Sequence, residues 1–293
     1  MRTPSSSQLS QTDLEHGRST SSTEPSLPLK VPALLSTLAL ISIVLLALVG
    51  GGLFFFPQFI QDRWIWPLTP FNTRFLGAIY LTALVSLTNL IFGNRAVLAR
   101  LIVPMMWIFT TVVLLASCLH LEQFSPLRRA SDLWFWVYLI DCVGASYYLG
   151  YFKERSFPNL RQLPALWPAV LGIQAGLLGV YGLGFLIFPE TTSSTWSWPL
   201  DSFHARLYSS IFLTGAVGSA LLAKRASAAE CRALGVIQIT FSGLVLAGVG
   251  IVDSAVNKMD WRLLANWIWV GAISLPGIIG LGLILQVRRQ SES

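Results

Sequence analysis

Charge is the scarcest ingredient of this 293-residue chain. Asp, Glu, Lys and Arg together make up 12% of it, about half the share of an ordinary soluble domain, which argues against a water-soluble globule. Cysteine and histidine are rarer still, at three each. Cys118, Cys142 and Cys231 lie far apart and form no C-x-x-C pair, so the spacing encodes neither a disulfide framework nor a structural zinc site. They read as small apolar core residues. His120 and His204 have no second histidine at ligand spacing, which counts against a metal centre. A glycine-rich phosphate loop, an H-E-x-x-H pair and a nucleophile elbow are all missing. So are basic patches interleaved with aromatics, which excludes nucleic acid as the expected partner. No cofactor is called for, and no reaction is named.

What the chain has in abundance is apolar length. Its residues are 54% hydrophobic, and apolar runs long enough to cross roughly 30 Å of hydrocarbon recur along it. Eight are expected, at about 32–56, 72–93, 100–121, 131–152, 164–188, 203–223, 231–253 and 264–286. The runs are continuous rather than alternating, so helices fit and a strand-built barrel does not. The fold class expected is therefore an all-α integral membrane protein of eight transmembrane helices, arranged as two parallel four-helix repeats.

The formal net charge of +6 is informative through its sidedness. With the N-terminus inside, thirteen of the 20 Lys and Arg fall on the cytoplasmic side and seven opposite, which orients both termini inward. Residues 1–31, rich in Ser and Thr and without apolar period, are expected to form a disordered cytoplasmic tail. Residues 32–152 make the first repeat, 153–163 a basic linker, 164–286 the second repeat and 287–293 a short cytoplasmic tail. The loops are short, so no soluble domain is inserted.

The duplication rests on a motif that occurs twice. Trp64-Ile65-Trp66-Pro67-Leu68, with Phe71 and Arg74 after it, returns as Trp196-Ser197-Trp198-Pro199-Leu200, with Phe203 and Arg206. Every matched residue is shifted by 132 positions, as are Phe56-Pro57 and Phe188-Pro189 before it and Ile79, Leu81, Thr82 and Leu90 after it. Trp and Pro are rare enough for this register to mark an internal repeat. An even number of spans per copy gives both copies the same orientation, the parallel kind of repeat. Trp64, Trp66, Trp196 and Trp198 fall on the outer face, where paired indoles suit the headgroup region. They read as an aromatic belt with a loop fold, or as a vestibule for a ligand or partner.

Arg74 and Arg206 sit in the first turn of their helices, where a cation opposes the helix dipole. The third and seventh spans end on the same side in Glu122 and Asp253, so Arg74–Glu122 and Arg206–Asp253 are the expected interface ion pairs. Asp141 stands alone near the middle of the fourth span, where an ionised carboxylate costs about 3 kcal/mol. Helical spacing puts Tyr138, Asp141 and Tyr148 on one stripe, and the second copy offers Ser274 in place of the acid. The stripe is either a polar functional site or a structural hydrogen-bonding device, with Thr82, Gln174, Gln238 and Thr240 as partners at similar depth. Gly172 and Gly176 form a G-x-x-x-G pair that reads as a packed helix face.

The stretch Trp64-Ile65-Trp66-Pro67-Leu68-Thr69-Pro70-Phe71-Asn72-Thr73-Arg74 resembles a motif of uncharacterised bacterial multi-pass membrane proteins, with a Trp- and Pro-rich loop, a Leu-Thr-Pro turn and an arginine entering the next span. The second copy departs from it, with Asp201-Ser202 in place of Thr69-Pro70. The resemblance implies a polytopic protein of the bacterial inner membrane and transfers no catalytic residue. Two functional classes follow: a non-enzymatic structural or accessory membrane component, or a small-solute or ion transporter using the repeat interface and Asp141. The lipid bilayer is the first partner, with another membrane protein or a second copy after it. A water-filled cavity reaching Asp141 from one side would favour transport; a dry, well-packed interior with an exposed apolar outer patch would favour the accessory role.

Overall fold

The computed structural model describes residues 32–93, 95–124, 129–153, 160 and 163–292. The tail expected at residues 1–31 and most of the linker at 153–163 lie outside them. Ten α-helices follow in order among the described residues: α1 Ala33–Phe55, α2 Pro57–Ile60, α3 Pro70–Phe92, α4 Arg95–Leu119, α5 Arg129–Lys153, α6 Leu166–Ile187, α7 Pro189–Ser193, α8 Ser202–Lys224, α9 Ala228–Val256 and α10 Leu264–Glu292. The 3₁₀ turns Gln61–Arg63 and Leu121–Gln123 complete the set.

Local chemistry sets the boundaries. Phe56 and Phe188 close α1 and α6 by donating their amides to Gly52 and Gly184. Pro57 and Pro189 then begin the short helices α2 and α7 at the first position, where a missing N–H costs nothing. Thr69 caps α3 by accepting from the Asn72 amide, and Asp201 caps α8 through the His204 amide. Ser227 and Glu230 form a reciprocal capping box at the start of α9. At its other end Asn257 adopts the left-handed conformation that commonly terminates a helix.

Seven helices, α1, α3, α4, α6, α8, α9 and α10, are long and apolar enough to cross a membrane. A helix of 23 residues, such as α1, reaches about 34 Å. α5 has the length but not the apolarity, because Asp141 falls within any stretch of it long enough to cross. Several ends differ from expectation. α4 begins at Arg95 rather than near 100. α9 continues to Val256, and α10 runs to Glu292, so most of the expected tail at 287–293 is helical.

α1 packs on α3 and α6 on α8; α4 packs on α5 and α9 on α10; and the halves meet through α3 against α9 and α4 against α8. Close approaches set the first of these pairings. A Cβ on Gly50 would lie 2.9 Å from Tyr80, and one on Gly182 would lie 2.8 Å from Leu213. By contrast, Gly172 and Gly176 are exposed with open space around them, so the expected G-x-x-x-G packing face is not one. Large apolar side chains such as Val44, Leu48, Ile173, Val180 and Ile278 are exposed along the outside, where lipid is the solvent that accommodates them.

Candidate functional site

The tryptophan motif is a buried clasp rather than a headgroup belt. Trp66 and Trp198 are 2% and 5% exposed. Trp66 reaches across the interface to pack edge-on against Phe203, with ring centroids 5.1 Å apart. Trp198 reaches the other way and stacks on Phe71, also at 5.1 Å. Each loop thus docks on the residue that follows the motif in the opposite half. Trp198 also donates its indole N–H to Asn72 Oδ1 at 2.8 Å, beside Tyr208 OH at 3.0 Å. The matching position to Asn72 is His204, which faces Trp66 with ring centroids 6.5 Å apart. Trp196 is buried against Phe75 and Trp269, while half-buried Trp64 packs on Trp66 and Trp134. Water-facing indoles would have been isolated from one another; these interlock, and each aromatic pair adds about 0.5–1.5 kcal/mol beyond area burial.

Neither expected ion pair forms. Arg74 donates to the carbonyl of Phe54, and Arg206 donates through Nε to the carbonyl of Leu186 at 3.2 Å. Both cations therefore bind the C-terminal end of the preceding helix, α1 or α6, where the partial negative charge of the free carbonyls favours them. Helix-end carbonyls are invisible to a search for acids, which is why the pairing misfired. Arg206 has a second contact, Nη1 to His120 Nε2 at 2.7 Å. Because the guanidinium only donates, Nε2 accepts and the His120 proton sits on Nδ1, which faces Glu122 at 3.1 Å. Glu122 is thus tied to the second half, through a histidine. Its carboxyl is held below the ordinary value by its own backbone amide and by His120. Asp253 accepts from the Lys258 and Met259 amides and from the Trp261 indole at 2.6 Å, which pins the turn after α9. At the α8 cap, burial pushes the Asp201 carboxyl up, but the His204 ring and the amides of His204 and Phe203 outweigh it and hold it below its usual range.

Between the clasp and the opposite end of the bundle lies a cavity of about 430 Å³. Its wall draws on both halves in matched positions: Leu46 and Leu178, Tyr80 and Phe212, Thr82 and Thr214, Ile102 and Leu234, Met105 and Ile237, Phe109 and Phe241. Each pair differs by 132 positions. Much of the remaining wall comes from α1 and α5, which pack only lightly on each other. From α5 come Trp134, Val137, Tyr138 and Asp141, and from α1 come Leu45, Val49 and Ser42, the last beside the Asp141 side chain. Tyr138 donates to Tyr80 OH at 3.2 Å. Tyr148, the third member of the expected stripe, is buried away from the cavity. Thr82 and Gln238 line the wall. Gln174 pairs instead with Gln238 Nε2 at 3.2 Å and Ser219 at 3.2 Å.

Two groups escaped the sequence reading. Ser42 carried no signal, being one serine in an apolar run. Arg100 and Glu230 form a bidentate pair across the halves, Nε–Oε1 at 2.8 Å and Nη2–Oε2 at 3.0 Å, with Glu230 fully buried. The Ser-x-x-Glu spacing of Ser227 and Glu230 is a capping-box signature that was available. The bridge to Arg100 was not, since 130 residues separate the partners.

These helices and their lipid-facing surfaces define an integral multi-pass membrane protein. Comparison with protein families, curated proteins and solved structures finds no match, so its activity must be argued from the cavity.

Proposed function

We propose that this protein binds and carries a small solute within the membrane, at the interface of two parallel four-helix repeats. The observation that carries the reading is the cavity reaching Asp141, walled by matched residues of both halves. A substrate site near the bilayer midplane at a repeat interface is the usual arrangement of carriers built from internal repeats. An acid in such a wall is a functional hypothesis by default. α5 is counted here as the eighth span. It matches α10 in order, and the acid within its apolar stretch, Asp141, lines the cavity, which lowers the cost of insertion. Eight spans with a positive-inside bias put both termini in the cytoplasm, and the Trp-Pro motif points to a bacterial inner membrane. No enzymatic step is assigned. An accessory subunit would need only a filled interior, so the cavity counts for carriage over that role.

Cysteine accessibility tests it. In a background with Cys118, Cys142 and Cys231 replaced, Thr82→Cys, Ser86→Cys and Val137→Cys should react with a small cationic thiosulfonate reagent in intact membranes. Ile140→Cys and Val143→Cys, whose side chains face outward, should not. A carrier gives modification from both sides of the membrane. Silence at all three cavity positions would sink the reading.

A further inference from the structure

We propose that the cavity takes a lipophilic cation, a molecule with an aromatic or branched apolar body around one positive centre. This rests on the cavity being a solute site, and it follows from which charges and surfaces line it. Two charged side chains do so, Asp141 and Arg63. Arg63 is exposed and donates to the Phe59 carbonyl at 2.8 Å, close to the Trp motif at one end. Asp141 lies deeper and has no Lys or Arg partner among the described residues. Ser42 beside it can offer one hydroxyl, and an ionised carboxylate offers acceptor sites for about four donors. An anion is repelled there. A neutral solute leaves the carboxylate uncompensated in a low-dielectric wall.

The surfaces beside Asp141 are aromatic. Tyr138 lies one helical turn away on the same helix, with Trp134 at 4.5 Å and Phe109 at 6.4 Å between ring centroids, and Tyr80 bonded to it. Ring faces carry negative charge and attract cations, most strongly when desolvated. Metal ions and small hydrophilic ammonium ions fit poorly. One carboxylate and one hydroxyl replace too little of a hydration shell that hard cations fill with six or more oxygens. The far wall is Ile102, Met105, Leu234 and Ile237, which suits an apolar body, and methionine adapts its shape to it. The volume lies in the range of about 300–1,000 Å³ that accommodates drug-sized ligands.

The test uses two ions of equal size and opposite charge. Purified full-length protein in nanodiscs is titrated with tetraphenylphosphonium, tetraphenylborate and neutral 1-aminoanthracene, each corrected for uptake by protein-free nanodiscs. Wild type should bind the phosphonium at least tenfold more tightly than the borate. Asp141→Asn should lose that preference, and Asp141→Glu should keep it; thermal unfolding establishes that both variants fold. Ala83→Phe, which fills the cavity, should lose the phosphonium and the neutral probe together. If wild type binds the neutral probe but shows no charge preference, or if Asp141→Asn keeps it, the cation assignment falls and the solute site stands. If wild type binds none of the three probes, or if Ala83→Phe binds as wild type does, the solute site falls too.

Discussion

Removing either partner of the Arg100–Glu230 bridge should destabilise the protein more than removing any exposed charge. Glu230 is fully buried and its carboxylate accepts from Arg100 Nε and Nη2 and from the Ser227 amide and hydroxyl, all within 2.8–3.0 Å. Glu230→Ala leaves a guanidinium without its counter-charge, which for a buried pair costs about 3–5 kcal/mol, and it also opens a capping box worth about 1 kcal/mol. The Arg100 side chain is 18% exposed, so water recovers part of the first cost and places the total near about 3 kcal/mol. Arg100→Met strands the carboxylate instead and should cost a similar amount. The double variant, Arg100→Met with Glu230→Leu, strands no charge. Its expected cost is about 1–2 kcal/mol, chiefly the Ser227 amide left without its acceptor. Unfolding in mixed micelles, followed by tryptophan fluorescence, measures all three. A coupling below about 0.5 kcal/mol, with the single costs simply adding, would refute the bridge.

Other outcomes separate the two halves of the clasp. Trp198→Phe should cost about 1 kcal/mol more than Trp66→Phe in the same unfolding measurement. Only Trp198 donates to Asn72, whereas the buried Trp66 Nε1 has no hydrogen-bond partner among the described residues; equal costs would contradict this. The α8 cap should respond to acid. Asp201 has its folded value depressed, so its stabilisation is complete above the ordinary aspartate value of about 3.9 and is lost as pH falls through the lower folded value. Asp201→Asn should flatten the slope of the unfolding midpoint between about pH 5 and pH 3, and an unchanged slope would exclude the cap as its source. His120→Gln, which keeps an acceptor for Arg206, should stay within about 1 kcal/mol of wild type. His120→Lys, which sets a second cation against Arg206 Nη1, should cost more than His120→Gln. Thermal unfolding of the purified variants ranks them.

The sequence made the helices legible because their signals are local. Pro57 and Pro189, Thr69 and Asp201, and the long apolar runs each act within a few residues of themselves, and α3 and α8 coincide at both ends once shifted by 132. What it hid was partnership. Trp66 and Trp198 look like interfacial residues because Trp is amphipathic, and nothing within either copy says that Phe203 and Phe71 cover them. Arg74 and Arg206 were matched with acids because acids are visible in a sequence. Helix-end carbonyls are present in every residue and are selected only by geometry. Asp141 was legible for the opposite reason. A lone carboxylate in an apolar run is costly enough to demand an explanation wherever the chain places it.

The 132-residue register of the wall bears on why there is a void between the halves. The halves meet through α3 against α9 and α4 against α8, so a residue faces a position on a different helix rather than its own match. Close packing there calls for complementary rather than equal shapes. Thr82 faces the cavity along with Thr214, and Ala83 along with Gly215; small residues repeated in both copies leave the middle unfilled. The ends of the interface escape this because their contacts are complementary. Trp66 meets Phe203 and Trp198 meets Phe71, while Arg100 meets Glu230 at the other end. The cavity between those ends carries no chemistry by itself. Chemistry enters where the copies diverge. Asp141 has no acidic counterpart in the second half: Trp134 and Trp269 hold equivalent places against Trp66 and Trp198, which sets Pro276 at the position matching Asp141. Asp141 therefore sets a carboxyl on one side of an otherwise matched chamber.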